Sequence, residues 1–165
     1  MGCTYEKKFE DIQSVTGIKG ISAASTIAEI WVDVSRFQDE AHISSWDRVY
    51  PGNNENAGKK KNGKTRRGNN YLKAALTEAA WAAAMTRDTA FGAMYRNIDS
   101  RRGKRRALIA VGHHILIEVY RLLKTRERYQ DAGAAAVTEQ RLQNREQRMV
   151  RELERYRYDV SKVAA

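Results

Sequence analysis

One proline, Pro51, occurs in the whole chain, which is otherwise rich in Ala, Glu, Arg and Leu. Proline is the strongest helix breaker, and those four are among the best helix formers. Few other folds are open to such a chain, so it should be mainly α. The period of the apolar residues agrees. Leu72, Ala75, Leu76, Ala79 and Ala83 form a stripe in "NNYLKAALTEAAWAAAMTRD", which Asn69 or Asn70 can cap. A shorter helix follows from about Thr89 to Ile98. Another, from Lys104 to Lys124, keeps its period through Leu108, Val111, Ile115, Leu116, Val119, Leu122 and Leu123. "DAGAAAVTEQ" reads as a linker. The last segment carries Leu142, Met149, Leu153 and Tyr156 on an otherwise charged helix, which should dock on the body or on a second copy.

Upstream of the proline, "YEKKFEDIQSV" and "VTGIKGISAASTIAEIWV" read as a helix-hairpin-helix element over about residues 6–32. Gly17 and Gly20 bracket its turn, Ser22 can cap the second helix (Ala23 to Val32), and Ile21, Ala24, Ile27, Ala28 and Trp31 share one face. Glycines there let backbone N–H groups approach a phosphate at a helix N-terminus. An ordinary glycine-containing connection is the alternative. "SRFQDEAHISSWDRVY" reads as a short helix with Phe37 and Trp46 inward.

Charge narrows the function. Thirty Lys and Arg against 20 Asp and Glu give a formal charge of +10, which points to a polyanionic partner, nucleic acid before membrane. The excess is concentrated. The loop over residues 51–70 and the turn after it hold Lys59, Lys60, Lys61, Lys64, Arg66, Arg67 and Lys73, with no acid between Glu55 and Glu78. Arg101, Arg102, Lys104, Arg105 and Arg106 form a second cluster, also ahead of a helix. If about six phosphates were neutralised, log affinity would fall with log salt at a slope near −5. A solvated loop that aids solubility is the alternative for the first cluster. No apolar run is long enough to span a bilayer, and the lone Cys3 makes no internal disulfide, so a reducing cytoplasm is expected.

Catalytic candidates are sparse. His113 and His114 are adjacent and point to different sides of a helix, whereas helix-borne metal ligands want spacings of three or four. One should face the core and the other be partly exposed. The carboxylates are scattered, without the compact cluster of a two-metal nuclease. Ser44 and Ser45 have no evident base, and no metal site is expected in this chain.

Three blocks carry a resemblance: "VTGIKGISAASTIAEIWVDVSRF", "PGNNENAGKKKNGKTRRGNNYLKAALTEAAWAAA" and "RRGKRRALIAVGHHILIEVYRLL". In this order they resemble the C-terminal domain of the insertion-sequence transposases related to the Piv DNA invertase, some of them guided by a bridge RNA. The resemblance covers roughly residues 12–131 and implies a C-terminal helical domain over 1–131, with a linker and terminal helix over 132–165. It implies cutting and joining of DNA strands by a bacterial, nucleoid-associated oligomer. Its partners would be DNA, guide RNA, and further copies or a full-length transposase. In such enzymes a RuvC-like domain holds divalent metal, Mg, on four acidic residues, and a serine in the helical domain attacks the phosphodiester. A chain without the RuvC-like half is expected here, and where relatives read PGNNESAGK this chain reads "PGNNENAGK", with Asn56 at the serine position. An amide cannot serve as an alkoxide nucleophile. The chain alone is therefore expected to bind nucleic acid without cutting it. A transposase-derived binding or regulatory module and a helical protein-interaction domain are the alternatives.

Overall fold

The computed structural model describes residues 2–30, 34, 37–47, 55–56, 59–60 and 69–161. Among them are seven helices and one short hairpin. These are α1 (Gly2–Ile12), α2 (Gly20–Ile30), α3 (Glu40–Asp47), β1 (Glu55–Asn56), β2 (Lys59–Lys60), α4 (Asn70–Met85), α5 (Ala90–Arg102), α6 (Lys104–Thr125) and α7 (Gly133–Arg155). The mainly α expectation holds.

The core forms around α6, which touches α1, α3, α4 and α5. Val111, Ile115, Leu116 and Val119 are fully buried, and Leu122 and Leu123 nearly so, as their period required; Leu108 is half-buried. Burying each such side chain is worth about 1.5–3 kcal/mol. The stripe on α4 is buried throughout, and its alanines let neighbouring backbones come close. Asn69 is the N-cap. Its side-chain oxygen accepts from the N–H groups of Tyr71 and Leu72, at 3.0 and 3.2 Å, and its amide donates to the Glu29 carboxylate of α2. The end of the basic loop is thereby pinned to the body.

Several expectations are corrected. α2 begins at Gly20, so Ser22 sits inside its first turn. Its hydroxyl accepts from the Lys19 N–H at 3.1 Å, which is the return half of a capping box. The buried face of α2 is Ser22, Ala23, Thr26, Ile27 and Ile30, while Ile21, Ala24 and Ala28 are exposed. Hydrophobicity alone picked the wrong phase. Ser22 and Thr26 go inward because their hydroxyls donate to the Lys19 and Ser22 carbonyls, at 2.8 and 2.7 Å. Trp31 lies outside the described residues. α5 runs on past Ile98 to Arg102, and Gly103 stops it. Phe37 is buried but precedes α3; Ile43 is buried within that helix, and the Trp46 side chain lies outside the described residues. The segment read as a linker forms the first turns of α7.

Candidate nucleic-acid interface

The second basic cluster forms a corner between two helices. Arg101 and Arg102 end α5, and Lys104, Arg105 and Arg106 begin α6. Gly103 serves as the C-cap of one and the N-cap of the other, at φ 81° and ψ 159°, a conformation that L side chains rarely adopt. Its N–H donates to the Asp99 carbonyl at 3.0 Å. All five cations are exposed, and among the described residues none of them takes part in an ion pair. Arg101 is oriented by its Nε, which donates to the Asn97 carbonyl at 3.0 Å.

The helix dipoles treat these five cations unequally. Arg101 and Arg102 lie at the negative end of α5, where cations are favoured. Lys104, Arg105 and Arg106 lie at the positive end of α6, where no side chain caps the free N–H groups. Each is disfavoured there by about 0.3–1 kcal/mol. An anion at this corner would relieve both the repulsion and the missing cap.

A shallow groove of about 570 Å³ runs along α4 and is lined by Asn70, Lys73, Thr77, Glu78 and Trp81, among others, with Leu108 of α6 at its edge. Leu108 is one turn beyond Lys104, and Asn70 is where the basic loop joins α4. Lys73 thus shares a groove with Leu108 of α6. Trp81 is 48% and Tyr71 76% exposed, an unusual position for large rings. An aromatic face beside cations can accept a nucleobase by stacking. The spacing of α4 already placed Trp81 opposite the alanine stripe, so the signal was present as phase.

The first cluster is described only in part. Lys59 and Lys60 form β2, and Asn56 is paired with Lys59 and Glu55 with Lys60 across the antiparallel hairpin. Asn56 therefore has a cation-bearing residue as its direct cross-strand neighbour. Lys61, Lys64, Arg66 and Arg67 lie outside the described residues.

The turn between α1 and α2 packs on another face of α4. Gly17, at φ 95°, packs on α4, where an added Cβ would stand 2.2 Å from the Ala79 carbonyl oxygen and 2.8 Å from the Ala83 Cβ. Ala79 and Ala83 lie on the face of α4 opposite Trp81. Gly20 is exposed at φ 38°, and its N–H donates to the Gln13 side chain at 3.2 Å. Residues 126–131 strap this turn. Arg128 pairs with Asp11 at 3.1 Å, the Tyr129 N–H donates to Ser14 Oγ at 3.2 Å, and Thr16 donates to Asp131 at 2.8 Å.

Sequence reasoning passed over Asp131, which organises this strap. Its carboxylate also accepts from the N–H groups of Ala90 and Gly133, both at 2.8 Å, and from the Tyr129 hydroxyl at 3.3 Å. Desolvation pushes its pKa up, but these hydrogen bonds outweigh it and hold the carboxyl below its ordinary value.

With this geometry in place, comparison with protein families is decisive. The model of the IS116/IS110/IS902 transposase family matches residues 10–96, just over half of the chain. The chain belongs to that family. Comparison with curated proteins and with solved structures gives no match. The matched span of this transposase-family chain includes the basic loop and Asn56 but stops within α5. The corner at 101–106 and all of α7 lie beyond it. His113 is half-buried and His114 exposed, and their rings meet edge to face at 5.9 Å. Among the described residues no group of three His, Cys, Asp or Glu could hold a metal ion, and no helix is long and apolar enough to cross a membrane.

Proposed function

We infer that this transposase-family chain binds nucleic acid through its phosphates. The contacts are made by the corner at Arg101, Arg102, Lys104, Arg105 and Arg106, and by Lys73 and the cations of the 51–70 loop. The corner carries the reading. Five exposed cations in six residues have no carboxylate partner among the described residues, and three of them oppose a helix dipole. Such an arrangement is costly in the free protein and is relieved by a polyanion. The binding is electrostatic and positions the polymer without reading its sequence.

A second reading within the same class is favoured by Asn56. At the place where the resembling transposases carry serine, its amide can donate a hydrogen bond to phosphate but cannot form the covalent link. The chain then acts as a docking or regulatory module, pairing with further copies or a full-length transposase. Divalent metal belongs to a RuvC-like domain in this scheme. The test is binding of a short DNA duplex by the full chain and by its Arg102→Ala/Arg105→Ala variant in dilute buffer. The wild type should bind without forming a covalent adduct, and the variant should bind about tenfold or more weakly. Equal binding by both would remove the corner from the interface, and a covalent adduct would refute the account of Asn56.

A further inference from the structure

The same reading of the corner extends to α7, which no family match covers. The starts of α5 and α7 are fastened together. Asp131 accepts from Ala90 and Gly133, and the Ala134 N–H donates to the Asp88 carbonyl at 3.1 Å. Further along, Arg141 of α7 donates to the Asn97 side chain of α5 at 2.6 Å. Two tie points in the same sequence order mean that the helices run side by side in one direction. α5 ends at Arg102, whereas α7 continues to Arg155. At about 1.5 Å per residue, α7 outruns α5 by roughly 15 Å, close to three turns.

The face of α7 that lies on α5 is the face that carries arginine. Arg141, Arg145, Arg148 and Arg155 follow at intervals of four, three and seven, so they stand in line on one side. Glu152 shares that side, while Glu139, Glu146 and Glu154 lie away from it. Asn97 shows the convergence directly. Its backbone carbonyl takes Arg101 of α5, and its side-chain oxygen takes Arg141 of α7. From that point the arginine line passes beside the last turn of α5, next to the corner. All four arginines are exposed, and among the described residues none has an ion-pair partner.

We propose that the arginine face of α7 and the last turn of α5 form a track for one strand of a nucleic-acid duplex, continuous with the α5–α6 corner. From Arg141 to Arg155 the line spans about 21 Å, the axial length of roughly six nucleotides of a strand. The partner is a phosphodiester backbone, and DNA and RNA share that chemistry. The track rests on the nucleic-acid reading of the corner, but it can fail separately.

The experiment is a salt titration of full-chain binding to a short random-sequence DNA duplex and to an RNA hairpin. Four proteins are compared: wild type, Arg145→Ala/Arg148→Ala, Arg102→Ala/Arg105→Ala, and the control Lys7→Ala/Arg87→Ala, which removes the same charge from exposed positions elsewhere. The α7 variant should bind at least one polymer with a log–log salt slope shallower by about two, and the control should match wild type. The polymer that loses the contacts is the one the track holds. If the α7 variant behaves like the control while the corner variant still loses affinity, the track is overturned and the corner stands. If no variant changes the slope, both fall. All the substituted residues are exposed, and unchanged helicity by circular dichroism verifies the fold.

Discussion

α6 and α7 are nearly the same length, 22 and 23 residues, and both are amphipathic, yet α6 buries nine residues and α7 none. The difference shows what an apolar period does and does not determine. On α6 the period and the packing agree, because four other helices close around its stripe. On α7 they part. Its apolar line of Leu142, Met149, Leu153 and Tyr156 is 42–72% exposed. The side that meets α5 holds Ala134, Val137 and Arg141 instead. Hydrogen bonds at its start, through Asp131 and Asp88, set its orientation. One helix is a core element, and the other is a surface fastened at one end.

Removing core from α6 and apolar surface from α7 should give very different results. Leu116→Ala should lose about 3 kcal/mol in denaturant unfolding, while Leu153→Ala should stay within about 0.5 kcal/mol. Equal losses would break the comparison. Gly17→Ala should cost about 2 kcal/mol or more, since it forces both a positive φ and a clash with the Ala79 carbonyl. A neutral result would mean that the α1–α2 turn and α4 can separate freely.

Asp131→Ala should cost about 1 kcal/mol globally. Its larger effect should be local, as faster hydrogen exchange over residues 133–155 with α6 still protected. The native carboxyl has a lowered pKa, so its contribution is fully present above the ordinary aspartate range and is lost as pH falls below that range, through the lowered native value. The protection of α7 against exchange, relative to the intrinsic rate at each pH, should therefore fall on acidification below the ordinary aspartate range in the wild type but not in the variant. The smallest effect belongs to His113. Desolvation, with a lesser contribution from His114, lowers its pKa, so folding disfavours the charged ring. Stability should decline slightly as pH falls below about 6.5, and His113→Gln should flatten that decline in thermal melts.

Much of the fold was legible in the sequence, because α4 and α6 carry long apolar stripes and α4 has an asparagine to cap it. The phase of α2 was not, since buried hydroxyls satisfied by their own helix look polar in any pattern. The basic corner was visible as composition, and the structure adds its geometry and the role of Gly103. The α7 track was hidden because the apolar line drew attention to the wrong face. Asp131 was hidden because a single acid before "AGAAA" has no pattern; its role comes from contacts with residues far away in sequence.

The most direct test of the interface is photo-crosslinking of the full chain to a DNA duplex and to an RNA hairpin, with the modified peptides mapped by mass spectrometry. Adducts should concentrate in peptides containing residues 101–106 and 141–148. Adducts confined to α3 and the C-terminal half of α6, with the corner unmodified, would contradict the account.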